Sequence, residues 1–133
     1  MAIRNSSCIG GPHVLDSAPR PQGPFPQGTS AARYVFVSSQ LPVDKDGVCH
    51  TGDSVECQTE RCIDNVAAIL AQLDLTLSEV SKVTIQLASI DDLDTVYSVC
   101  EKRFERPRPA CSVFQVAALP LSAKVSIEAI ACR

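Results

Sequence analysis

The chain has 133 residues, 45% of them hydrophobic, and a formal net charge of −3 at pH 7. That length suits one domain with a core of its own and is short for two. The acidic balance leaves no electrostatic footprint for nucleic acid, and no apolar run approaches the roughly 20 residues of a membrane-spanning helix.

Residues 1–11 are small and polar without periodicity and read as a loosely ordered extension of a single domain, 1–133. They lack a long apolar core followed by small residues, so no secretory leader is expected and the protein is expected to be cytoplasmic. Residues 12–16 suggest a short edge strand in which His13 is structural. Residues 17–30 hold four prolines and two glycines and read as irregular. Such a segment can wall a pocket and present its one aromatic, Phe25. Residues 33–39 (RYVFVSS) are rich in β-branched and aromatic residues and predict a strand. Asp46-Gly47 then marks a hairpin turn, from which Val48-Cys49-His50 returns. His50 reads as solvated.

Asp53 to Glu56 has the spacing of a capping box and opens a helix to about Leu73. Cys62, Val66, Ile69, Leu70 and Leu73 form its single apolar stripe, and Glu60, Arg61 and Asp64 occupy the solvated face. Residues 76–80 read as a turn and 82–88 as a strand. Asp91-Asp92 offers a negative N-terminus to a second helix. Its stripe is Leu93, Val96, Tyr97, Cys100 and Phe104, and Pro107 and Pro109 stop it.

Residues 109–117 and 123–131 alternate as two further strands around a turn at Leu119-Pro120-Leu121-Ser122. Paired as a hairpin about that turn, they would set Cys111 directly opposite Glu128 on one face. The pattern as a whole predicts an α+β fold, one sheet with two helices packed on one face. The other face would be left bare, with Val113, Ala117 and Ser126 contributing to an assembly surface.

Cysteines stand at 8, 49, 57, 62, 100, 111 and 132. Their odd number, without a Cys-x-x-Cys pair, argues against a disulfide framework or a zinc site. No metal and no cofactor is expected. Cys62 and Cys100 fall on apolar helical faces as small hydrophobes.

Several short motifs, in order, carry a resemblance. They are Gly23-Pro24-Phe25-Pro26-Gln27, Phe36-Val37-Ser38-Ser39-Gln40-Leu41-Pro42, Gln58-Thr59 with Asn65, and Lys82-Val83-Thr84. Arg108-Pro109-Ala110-Cys111-Ser112, Leu119-Pro120 and Ile127 to Ala131 complete the set. On these the chain resembles the YjgF/YER057c/UK114 family, the Rid (reactive intermediate deaminase) proteins, over nearly its whole length after about residue 12. The resemblance implies a chorismate-mutase-like fold and a homotrimer whose clefts between neighbouring subunits take a small molecule. It also implies hydrolysis of enamine or imine intermediates such as 2-aminoacrylate.

The departures bear on chemistry. Cys111 stands where the family has an arginine that grips the substrate carboxylate, and a thiol cannot replace a planar cation with several donors. Phe25 replaces a tyrosine, Ser39 a glycine and Tyr97 an asparagine. Glu128, the glutamate of the last strand, is kept. The expected site is therefore Glu128 as general acid or base and Cys111 as nucleophile or space-filler. Phe25, Ser39, Tyr97, Val113 and Arg108 would line the pocket. The expected function is an imine- or enamine-acting enzyme in a specialised role, with only weak turnover of a generic substrate such as 2-aminoacrylate. The alternative is a non-catalytic trimer that binds a small molecule in the same clefts. The ribonuclease activity attached to some relatives finds no support in the acidic composition.

Overall fold

The computed structural model describes residues 18–133. Cys8, His13 and the strand expected at 12–16 lie outside them. Among the described residues five strands form one sheet: β1 (Gly28–Ala31), β2 (Tyr34–Gln40), β3 (Val80–Leu87), β4 (Ala110–Gln115) and β5 (Val125–Cys132). Two helices, α1 (Val55–Ala71) and α2 (Leu93–Arg103), cover one of its faces. The spatial order is β1-β2-β5-β3-β4.

This order overturns the C-terminal hairpin. β5 lies between β2 and β3 and is antiparallel to both, whereas β4 pairs with β3 alone, in parallel. Parallel neighbours require a crossover connection, and α2 supplies it between β3 and β4. Leu121 and Ser122 take left-handed backbone conformations, φ 58° and 56°, in a 3-10 turn that carries the chain away from β4. Composition accounts for the two strands' places. β5 is largely buried and sits in the centre, while β4 has no fully buried residue and forms an edge.

Two further expectations shift. β1 falls inside the stretch read as irregular, paired with β2 from Gly28↔Val37 to Ala31↔Tyr34. Ser54, one residue later than expected, caps α1 by accepting from the Cys57 amide at 3.2 Å. The turn at Asp44 holds as expected. Gly47 takes the left-handed φ of 81° that glycine tolerates, and a single bridge joins Val43 to Cys49. His50 Nε2 meets Asp44 Oδ2 at 2.9 Å.

The core lies between helices and sheet. Cys62, Ile63, Val66, Ile69 and Leu70 of α1 meet Val35, Val83, Ile85, Leu87, Ile127 and Ala129. Burying each large aliphatic side chain here contributes roughly 1.5–3 kcal/mol. On α2 the buried residues are Val96 and Val99, and Tyr97, expected on the stripe, is 48% exposed. Arg103 ties the helices together by pairing with Glu60 and with Asp64 at 2.7 Å. Arg61 pairs with Asp53 at 3.0 Å, so the charged face of α1 is bridged and not merely solvated. Among the described residues no helix is long and apolar enough to cross a membrane.

Candidate functional site

Side chains on neighbouring strands share a face when their positions are in register. Val83 pairs with both Cys111 and Ala129, so Cys111 faces the helices. Thr84 pairs with both Ser112 and Glu128, which therefore face the opposite, open side. Cys111 and Glu128 are thus two strands apart, roughly 10 Å by strand spacing, and on opposite faces. Within one chain they do not meet.

The open face carries a concavity. A cleft of about 360 Å³ runs over β2, β3 and β5, walled by the proline-rich loop and by Leu119-Pro120. Phe25 and Ser39, two expected pocket residues, line it together with Arg20, Ser38, Gln86 and Ser126. The loop is pinned in place. The Ser38 amide donates to the Gln27 carbonyl at 2.8 Å, and Ser38 Oγ donates to the Pro26 carbonyl at 2.8 Å. Gln27, itself buried, donates its Nε2 to the carbonyls of Ala18 and Pro19. A Cβ on Gly23 would run into the Phe25 ring, so that exposed ring would have to turn aside.

A β-bulge joins this cleft to Glu128. β2 pairs Val37 with Ala129 and then Gln40 with Ile127, so Ser38 and Ser39 together oppose the single residue Glu128. Such a bulge bends the strand and re-aims its side chains, a device common beside functional sites. Glu128 is exposed and forms no ion pair or side-chain hydrogen bond among the described residues. It borders a second depression of about 180 Å³ with Phe36, Lys82, Thr84 and Ile130. Lys82 lines the same depression without forming an ion pair with Glu128, and its Nζ donates to Ser112 Oγ at 2.7 Å.

The remaining expected residues lie elsewhere. Tyr97, Arg108 and Cys111 line a pocket of about 270 Å³ on the helical side, where α2 overhangs the β4 edge. Cys100 and Phe104 complete it. Burial pushes the Cys111 thiol above its usual pKa, with Lys82 pulling the other way, and pushes Cys100 up to about 12. Arg108 is held by the Glu101 backbone carbonyl at 3.3 Å and approaches the Glu101 carboxylate at 3.8 Å. Val113 lines neither hollow. It pairs with Ile85 and packs against the core, which removes it from the bare surface where it was expected.

Arg20, Gln86 and Ser126 were missed from the sequence. Period-two alternation places Gln86 and Ser126 on the polar face of their strands, but only register makes them neighbours. Arg20 lies in a loop with no periodicity to read.

Buried polar groups from α1 support the cleft. Asn65 Nδ2 donates to the carbonyls of Leu41 and Val43 at 3.1 and 3.0 Å. Gln58 Oε1 accepts from the Lys124 amide at 2.9 Å, and its Nε2 donates to the Asp53 carbonyl at 3.1 Å. Both residues belong to the motifs noted above, and both secure loops that border the hollow.

These features define a single-sheet α+β domain with one face packed and the other open around a carboxylate. A family model described as Endoribonuclease L-PSP matches residues 15–133, and the chain belongs to that family, the YjgF/Rid proteins. The chain is 41% identical over 116 residues to Reactive Intermediate Deaminase A, chloroplastic, of Arabidopsis thaliana, covering 87% of this chain and 62% of that relative's length. It is 34% identical over 114 residues to a Bos taurus protein named 2-iminobutanoate/2-iminopropanoate deaminase, covering 86% of this chain and 83% of that one. Among solved structures, E. coli TdcF with bound serine superposes with a TM-score of 0.81 at 34% identity, covering 89% of this chain and 94% of that chain.

Proposed function

We propose that this protein hydrolyses a small imine or enamine, with Glu128 as the acid/base group. The observation that carries the reading is the position of Glu128: unpaired, on the open face, and opposite the Ser38-Ser39 bulge of the main cleft. In the reaction, water adds to the imine carbon as Glu128 takes its proton. That proton passes to nitrogen to give a carbinolamine; Glu128 then carries the carbinolamine's hydroxyl proton to the same nitrogen as the carbonyl forms and the C–N bond breaks, and ammonia leaves. The names of the Arabidopsis and bovine relatives support this class of substrate.

Cys111 has no role as a nucleophile activated by Glu128 of the same chain, because the sheet lies between them. Our reading has Cys111 fill the place of the family's arginine. The hollow formed by Tyr97, Arg108 and Cys111 would complete the site only as a contribution from a neighbouring subunit of a homotrimer. Exposed aromatics on the open face favour such an assembly, with Tyr34 at 49% and Phe114 at 56% exposure. The cytoplasm remains our proposed compartment.

The test is ammonia release from freshly generated 2-iminobutanoate or 2-aminoacrylate. Glu128→Gln should lower the rate by about 10²- to 10⁴-fold, while Cys111→Ser should leave most of it. An unchanged rate in Glu128→Gln would remove Glu128 from catalysis. No acceleration by the unaltered protein would favour the second reading, a non-catalytic binding trimer, for which the missing arginine at Cys111 speaks.

A further inference from the structure

Among the described residues the main cleft is walled by neutral side chains with a single exception, Arg20. Most of the other cations close to the sheet or the helices are engaged, the exposed Lys102 of α2 being an exception. Arg33 donates to the Arg133 carbonyl, Arg61 pairs with Asp53, Arg103 with Glu60 and Asp64, and Arg108 with Glu101. Lys82 donates to Ser112 and Lys124 to the Asp53 carbonyl. Arg20 has no ion-pair or hydrogen-bond partner among the described residues. It also sits on a prepared mount. Pro19 and Pro21 restrict the backbone on either side, Gln27 grips the carbonyls of Ala18 and Pro19, and Ser38 ties the loop to β2.

We propose that Arg20 is the anion-binding residue of this cleft and that its ligand is a small monocarboxylate. The charge absent at Cys111 on β4 is supplied from the proline-rich loop instead. A guanidinium presents paired donors that match the two oxygens of a carboxylate. Apolar walls, here Phe25, Leu119 and Pro120, lower the local dielectric and strengthen that pairing. A mount that is already ordered reduces the entropy lost on binding. The cleft's volume of about 360 Å³ admits a molecule of a few carbon atoms, with room for Ser39 and Gln86 to reach its polar groups.

This inference rests on the proposal that the cleft receives the small-molecule substrate, and the experiment separates the two. The probe is 2-oxobutanoate, the keto acid left when 2-iminobutanoate is hydrolysed, titrated by ligand-observed NMR beside its neutral amide. The acid should bind at least about tenfold more tightly than the amide, the size of one charge-assisted contact. Arg20→Gln should remove that preference without weakening the amide, and Arg20→Lys should keep part of it. Because Arg20 is an exposed loop residue, the variants should fold as the parent does, which circular dichroism checks. Equal binding of the acid by the parent and Arg20→Gln overturns the proposal, and so does no binding of the acid at all. If Arg20→Gln hydrolyses the imino acid with unchanged KM, this inference fails and the proposed activity stands. If the acid binds through Arg20 but no imine is hydrolysed, the activity fails and the anion site stands.

Discussion

Cys111 and Cys100 line the same hollow, yet their thiols should respond differently to an alkylating reagent. Cys100 is partly buried and its pKa is pushed up to about 12. Cys111 is exposed, but burial of its sulfur raises its pKa as well, against the pull of Lys82. Reactivity follows the thiolate fraction and access together. Iodoacetamide near neutral pH should therefore modify the exposed Cys57 first, Cys111 more slowly, and Cys100 and the buried Cys62 only on unfolding. Peptide mapping by mass spectrometry reads that order directly. Fast labelling of Cys111 in the assembled protein would mean that a cation from another subunit lowers its pKa, and the nucleophile reading would regain support.

Among the elements, the loop after β2 depends on one side chain. Asn65 reaches from α1 to two carbonyls of that loop, beside the small apolar cluster of Leu41, Val43 and Ala123. Asn65→Ala should leave those carbonyls short of a donor and cost about 1–3 kcal/mol. Urea denaturation should show the loss, and hydrogen exchange should show it concentrated around Val43 to Cys49. The elements themselves were legible in the sequence. Period-two alternation located β2, β3 and β5, and the 3.6-residue stripe located α1. Alternation tells which residues share a face but not which strand lies alongside, so two consecutive strands were paired as a hairpin when they are two places apart. The informative signal was the strand–helix–strand spacing of β3, α2 and β4, which is the signature of a parallel crossover. The site was legible in the same measure. Phe25 and Ser39 line one cleft and Glu128 borders the depression beside it, but which face Cys111 occupies depends on register, and register is a property of partners. β1 escaped because it is four residues long and follows a run of prolines.

For the molecule as a whole, the question is what covers the open face. Tyr34 and Phe36 stand together there with ring centroids 6.4 Å apart, and Phe114 lies across β3 on the same side. Exposed apolar surface of this kind marks an interface. Phe114→Glu should reduce the proposed trimer to smaller species while leaving the helical core intact. Light scattering would measure the change in mass, and circular dichroism would report the retained fold. A monomeric parent protein at micromolar concentration would remove the shared site, leaving each subunit with Glu128 and its own cleft alone.

The central position of β5 has a consequence for how the protein is made. Every other strand leaves the ribosome before it. Until β5 emerges, β2 and β3 have no common neighbour, and each offers an unpaired edge to whatever is nearby. The apolar sides of Val35, Val83 and Ile85 have at that stage nothing between them. The nascent chain must carry these two half-sheets separately, β1 with β2 and β3 with β4, and join them by inserting one strand. Encounters with a neighbouring nascent copy on the same message are most hazardous in that interval, because a foreign strand fits the vacant slot as readily as the chain's own.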